Sequence, residues 1–313
     1  MFIRRPLRVI LCLAALLCAL TLPARVAAQS KGDAGSLEAK IRALVDASGA
    51  ETVGVAFRDL GTGREVAINP NASFHAASTM KVPVMMEVYR QAREGRLKLD
   101  EPVPVKNEFK SIADGSVFSV SPTDDSEQTL YKKIGGTETV RELLRLMITE
   151  SSNLATNIII ERVTAARVMD LMHSSGARDM KVLRGVEDGK AFERGLNNTT
   201  TARDLLILLR AIAEGSAVSR KASREMTDVL LAQKFNEGIP AGVPAGTRVA
   251  HKTGSITKIN HDAGIVFLPG RRKPYVLVVL VRGLAEEERA HKLIADISRL
   301  VYEDVIKTRS RER

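Results

Sequence analysis

Three short runs carry residues able to do nucleophilic chemistry. In Ser78-Thr79-Met80-Lys81 a hydroxyl and an amine stand three positions apart. On a helix those positions share a face. A serine in the first turn sits at the helix's positive end, which favours a developing anion. A lysine one turn later can take the hydroxyl proton once burial or positive neighbours lower its pKa. In Glu150-Ser151-Ser152-Asn153, between two apolar helical segments, Ser151 can relay a proton to a leaving nitrogen and Asn153 can hold an amide. Lys252-Thr253-Gly254-Ser255 reads as the end of a strand: Lys252 adds positive charge, Thr253 and Ser255 add hydroxyls, and Gly254 lets a ligand approach the backbone. Taken singly, each run also fits an ordinary helix cap or strand-end turn.

The order of the three is the stronger signal. S-x-x-K is followed 73 residues later by S-x-N, and a further 101 residues on by K-T-G. Each falls on the kind of element its role requires. This ordered set resembles the serine β-lactamase and penicillin-recognising enzyme superfamily, and within it the class A-related branch. The likeness runs from the first helix to the last. Phe74 to Pro83 (FHAASTMKVP) is similar to the class A segment around the nucleophile. Met147-Ile148-Thr149 and Leu154-Ala155-Thr156-Asn157 are similar to the surroundings of the second motif, and Glu193-Arg194-Gly195-Leu196-Asn197 to the E-x-x-L-N of the omega loop.

The resemblance implies roles. Ser78 would attack a lactam or amide carbonyl and become acylated, and Lys81 would shuttle its proton. Ser151 would pass a proton to the departing nitrogen, in a region Lys252 keeps electropositive. The N–H groups of Ser78 and Ser255 would form the oxyanion hole beside Gly254. Thr253 and Ser255 would bind the substrate carboxylate, and Asn153 its side-chain amide. Glu193 would activate water for deacylation, with Asn197 helping to hold that water.

Departures from the family pattern accompany the likeness. Ser152 replaces the usual Asp of S-D-N, Ala191 replaces a basic residue expected before the Glu, and only Asn198 separates Asn197 from Thr199 in a shortened omega loop. Glu187 is a weaker substitute for Glu193. His251 either titrates near the site or simply ends a strand. Arg282 and Lys258 are candidates for an additional cation against the substrate carboxylate.

Apolar periodicity supplies the elements that must position these groups. Helices are expected over 36–48, from Ser78 to Arg93, over 138–148, 154–163, 166–173, 201–214 and 219–231, and over 286–306. Strands are expected over 53–60, 65–68, 248–252, 263–268 and 275–281. Residues 98–135, rich in Pro, Asp, Ser and Gly, read as a long irregular excursion. Strands from both ends are too few to stand apart. The expected fold is therefore α/β (α+β): an antiparallel five-stranded sheet flanked by N- and C-terminal helices, plus an all-helical lobe, β-lactamase/transpeptidase-like. The sheet lobe takes about 36–75 and 240–307 and the helical lobe about 76–239, with the site in the cleft between them.

Composition narrows the function. The 313 residues are 44% hydrophobic and 27% charged, which excludes collagen, coiled coil and wholesale disorder. Basic Arg4, Arg5 and Arg8, an apolar run from Val9 to Leu22 and the small residues Val26-Ala27-Ala28 read as a signal peptide cleaved near Ala28. A periplasmic or secreted location follows, with no stable membrane span after cleavage. Both cysteines, Cys12 and Cys18, leave with that segment, so disulfides, thiol nucleophiles and Cys-bound metals are excluded from the mature chain. Its five histidines show no H-x-x-x-H spacing, and no cofactor or metal is expected. Much of the +10 net charge sits in the leader and in the basic tail near 308–313, and aromatics are 4% with no Trp. A nucleic-acid partner is therefore not expected. The substrate is read as a small-molecule β-lactam or peptidoglycan-derived compound, handled by a monomer. Three functions are weighed: a β-lactamase, a penicillin-binding D-alanyl-D-alanine carboxypeptidase or related esterase or amidase, and a non-catalytic envelope binding protein.

Overall fold

The computed structural model describes residues 1–2 and 35–311, with side chains up to 308. Most of the expected leader, both its cysteines and the end of the basic tail lie outside the described residues.

The chain opens with α1 (Leu37–Ala47), whose N-cap Ser36 accepts from the Ala39 N–H at 3.2 Å. Strands β1 (Thr52–Asp59) and β2 (Glu65–Ile68) follow. The polypeptide then leaves the sheet and returns as β3 (Arg248–Ile256), β4 (Ile259–Phe267) and β5 (Tyr275–Arg282). The five form one antiparallel sheet in the order β2-β1-β5-β4-β3. The chain ends in α9 (Glu287–Arg311).

Both faces of this sheet are covered, which explains the unbroken apolar run in β5. Leu277, Val279 and Val281 pack with Ile41 of α1 and Ile294, Ile297 and Val301 of α9. The alternate residues Val276, Val278 and Leu280 join the core of the helical group on the opposite face. Burying each such side chain contributes about 1.5–3 kcal/mol.

At the centre of the helical group runs α2 (Lys81–Arg93), buried on nearly all sides through Val82, Val84, Met85, Met86 and Val88. Around it lie α3 (Val140–Thr149), α4 (Asn153–Val163) and α5 (Ala165–Ser174), then α6 (Gly189–Glu193), α7 (Ala202–Ala213) and α8 (Arg220–Leu231). Thr139 caps α3 by accepting from Glu142 N–H at 3.2 Å.

Several details differ from the sequence expectation, among them a 3-10 turn over Ala77–Met80 ahead of α2 and a β4 that begins at Ile259. The Lys252-Thr253-Gly254-Ser255 run lies inside β3, which continues to Ile256, because its pairing with β4 extends through Ile256↔Ile259. The short helix α6 has no counterpart among the expected elements. The excursion over 98–135 is partly ordered by pairing: Pro102–Pro104 with Thr137–Thr139, and Phe109–Lys110 with Val117–Phe118.

Candidate active site

Ser78 lies in a 3-10 turn, Ala77–Met80, that leads into α2. Packing of β3 against this turn is close. A Cβ added to Gly254 would stand 3.0 Å from both the Ser78 and Thr79 nitrogens, tighter than ordinary van der Waals contact, so the close approach favours glycine. The residue before the serine, Ala77, has φ of 45°. Ser151 and Glu187 are also held at positive φ, 58° and 62°. Backbone strain of about 1–3 kcal/mol per residue is thus gathered around one place, as at sites where geometry is imposed from outside.

The three motifs converge. Lys81, fully buried, donates from Nζ to the Ser151 carbonyl at 2.7 Å, to Ser151 Oγ at 3.2 Å and to Asn153 Oδ1 at 3.0 Å. Lys252, also fully buried, donates to Ser151 Oγ at 3.0 Å and to the Thr253 carbonyl at 3.0 Å. One hydroxyl therefore bridges two amines. With both lone pairs of Ser151 Oγ engaged, its own proton is the donor left over for a ligand. Burial pulls the Lys81 amine down to about 7, against the opposing charges of Asp125 and Glu187. Burial, and then the charge of Lys81, pull Lys252 well below the usual lysine range, with Asp262 opposing.

Ser78, Ser151, Asn153, Thr253, Gly254 and Ser255 all line one cleft of about 260 Å³. The structure thus brings together every residue expected from the three motifs.

It does not bring Glu193 or Asn197 there. Glu193 ends α6 with its side chain exposed and is not among the cleft-lining residues. Asn197 instead accepts from Arg184 Nη2 at 3.2 Å. Glu187 does reach the second motif, although it is not among the cleft-lining residues: its Oε1 accepts from Asn153 Nδ2 at 2.6 Å and its Oε2 accepts from Ser121 N–H at 3.2 Å. Burial raises its pKa, the two hydrogen bonds oppose this, and Asp125 and Asp124 add to the rise. Two ties fix the segment that carries Glu187. Asn157 clasps Val186 by donating to its carbonyl at 3.0 Å and accepting its N–H at 2.7 Å. A Cβ at Gly185 would meet Asn157 Oδ1 at 2.1 Å. Asp188 accepts from Ser111 Oγ at 2.7 Å and Ile112 N–H at 3.0 Å. Glu187 is held between these two ties.

The substitution at Ser152 is also accounted for. Ser152 Oγ caps α4 by accepting from Ala155 N–H at 3.2 Å. The missing carboxylate comes from elsewhere: Asp125, buried, accepts at Oδ2 from Asn153 N–H and Leu154 N–H at 2.9 Å each, from Tyr131 Oη at 3.0 Å and from Ser152 Oγ at 3.3 Å. Nothing in the spacing of residues 98–135 singles out this residue.

Of the remaining candidates, His251 sits buried inside β3 with Nδ1 2.9 Å from Asp262 Oδ1, and so serves strand-to-strand bonding. Arg282 pairs with Glu51 at 3.0 Å and donates to the Ser73 carbonyl at 3.2 Å. Lys258 stands in the turn between β3 and β4, and neither cation lines the cleft. His261 does line it, buried and held neutral, its pKa lowered by burial to about 4. Among the described residues no group of three His, Cys, Asp or Glu is arranged to hold a metal, and no helix is long and apolar enough to cross a membrane.

A paired-lysine serine site on a five-stranded sheet with a helical group defines the class A-related serine β-lactamase superfamily. The chain belongs to the beta-lactamase enzyme family, whose model matches residues 36–305. It is similar to a beta-lactamase from Bacteroides uniformis, 29% identical over 282 residues that span 85% of this chain and 90% of that protein. Among solved structures it resembles a mutant of PBP-A described as an acyl-enzyme complex with penicillin G (TM-score 0.74, 29% identity, 87% of this chain and 96% of that one). It also resembles an ancestral class A beta-lactamase (TM-score 0.73, 26% identity, 86% and 100%).

Proposed function

We propose that this chain is an exported serine hydrolase that opens β-lactams through a covalent acyl-enzyme on Ser78. The observation that carries the reading is the convergence of Lys81, Ser151, Asn153 and Lys252 on the wall of the cleft that Ser78 lines.

The geometry supports the following steps. In its ammonium form Lys81 has three N–H donors and three acceptors around it, so it has nothing with which to accept a proton. Its lowered pKa makes the neutral amine accessible near neutral pH, and that form frees a lone pair for the Ser78 proton. Ser78 Oγ then adds to the lactam carbonyl. The oxyanion is received by the N–H groups of Ser78 and Ser255, each worth about 3–4 kcal/mol. As the C–N bond breaks, Ser151 gives its proton to the nitrogen and is resupplied by Lys81 or Lys252. Asn153 and Thr253 orient the substrate. Water, activated by Glu187, releases the acyl group and regenerates Ser78.

A second reading is favoured by one observation. Glu187 is engaged by both Asn153 and the Ser121 N–H, and these bonds weaken it as a base. If they persist in the acyl-enzyme, the protein is a penicillin-binding carboxypeptidase, esterase or amidase with slow β-lactam release. A chromogenic cephalosporin separates the two. Multiple turnovers lost on Ser78→Ala support hydrolysis, and a single stoichiometric burst supports the second reading. Folded protein that gives neither would contradict both.

A further inference from the structure

The stretch over 107–121 meets the Glu187 segment at two places. At its base Asn107 clasps Val120, donating from Nδ2 to the carbonyl at 2.9 Å and accepting the N–H at 2.8 Å. Above this clasp Phe109–Lys110 pairs with Val117–Phe118, and the rings of Phe109 and Phe118 stand 5.9 Å apart. Ser111 N–H closes the turn by donating to the Ser116 carbonyl at 2.8 Å. The closed hairpin brings Ser111 Oγ and the Ile112 N–H onto Asp188, at 2.7 and 3.0 Å. The far end of the stretch supplies the Ser121 N–H that reaches Glu187 Oε2 at 3.2 Å.

Ser111 and Asp188 are both buried. Burial works against the Asp188 charge, but the bonds from Ser111, Ala191 and Ile112, with the Arg184 charge, outweigh it and lower the pKa. The acceptor in this tie is therefore ionised, which strengthens the bonds it receives. Glu187 itself has φ of 62°, a left-handed conformation that a residue with a Cβ keeps only when its surroundings over-determine it. Asn157 fixes Val186 on one side, and the hairpin and the Ala191 N–H fix Asp188 on the other. The single bond from Ser121 does not set that backbone angle. With Asp188 released, residue 187 is free to relax to negative φ, and its carboxylate leaves Asn153. Outer ties hold the hairpin to α6: Lys190 Nζ donates to Asp114 Oδ2 at 2.9 Å and to Ser116 Oγ at 2.7 Å.

We propose that the stretch over 107–121 is a brace that positions Glu187 for deacylation, and that Ser111 is its principal positioning residue, acting through Asp188. This rests on acylation at Ser78 and on Glu187 as the deacylation base, and the test lets each fail separately.

Benzylpenicillin is the probe. Stopped-flow single turnover reads acylation, and decay of the adduct mass on Ser78 reads deacylation. Ser111→Ala slows deacylation about tenfold and leaves acylation within about twofold. Ser111→Thr, which keeps the hydroxyl, recovers most of the loss. In a Glu187→Gln background Ser111→Ala slows deacylation no further, because the group it positions is already gone. Lys190→Met cuts only the exposed outer ties and gives the same split at about threefold, which decides the matter should Ser111→Ala not fold. Deacylation within about twofold of the parent in both variants, or an equal loss in both steps, overturns the brace alone. So does a Ser111→Ala effect that persists undiminished in the Glu187→Gln background. Parent-like deacylation in Glu187→Gln overturns Glu187 as the base, and the absence of any adduct on Ser78 overturns the acylation reading. Either result takes this inference with it.

Discussion

Asn153 hands its side-chain amide to Glu187 at 2.6 Å while its carbonyl oxygen accepts from Lys81 at 3.0 Å. Under the proposed mechanism, one small side chain thus spans the two groups that acylation and deacylation would need in opposite roles. In that mechanism the amine would lose a proton to activate Ser78, and the carboxylate would take one from water.

The Lys81 link predicts a pH profile. Acylation of Ser78, read as single-turnover kcat/KM, rises with pH and reaches half its plateau near 7, where burial places the amine. The stability effect has a definite sign. An unfolded lysine keeps its proton up to the usual range near 10.5, whereas the folded one sheds it near 7. The unfolded chain binds more protons between those values, so this group makes stability rise with pH across that window and withdraws the gain as pH falls toward 7. A flat acylation profile from about pH 5.5 to 8.5 would remove Lys81 from the base role.

Glu187 and Glu193 are separated by two conservative variants. Glu187→Gln slows deacylation by about 10²–10⁴-fold and lets the acyl-enzyme accumulate, while acylation persists. Glu193→Gln turns over like the parent, since its side chain is solvent-exposed outside the cleft. Stopped-flow kinetics with intact-protein mass measurement reads both. The opposite pattern would restore Glu193.

Asp125 is expected to be a positioning residue. Removing its carboxylate strips acceptors from the Asn153 and Leu154 N–H groups, Tyr131 and Ser152 together. Asp125→Ala therefore costs about 2–4 kcal/mol in urea unfolding. It lowers kcat/KM about tenfold or more by loosening Ser151 and Asn153. Asp125→Asn, which keeps one acceptor, recovers part of each. Loss of stability with unaltered kinetics per folded molecule would reduce Asp125 to a structural tie.

The legible parts of the fold and site are those written locally. The run from Tyr275 to Val281 is apolar at every position because both faces of the sheet are covered, and such a strand announces itself. Ser78, Lys81, Ser151, Asn153 and Lys252 are legible because each side chain acts from a fixed offset within a short motif on a regular element. In the sequence Glu187 ranks below Glu193 because E-x-x-L-N is a pattern, whereas the position of Glu187 is set by Asn157 and Asp188 clamping an irregular loop. Asp125 is invisible there for the same reason. It reaches Asn153 from a segment with no period, and its work is defined by partners 27–29 residues away.

The account turns on Ser78 as the nucleophile. Folded protein carrying Glu187→Gln, incubated with benzylpenicillin, digested and mapped by mass spectrometry, measures this directly. The result predicted is one adduct of the intact drug's mass on the peptide containing Ser78, abolished by a further Ser78→Ala change. An adduct on another residue, or none in protein whose circular dichroism and unfolding match the parent, would contradict it.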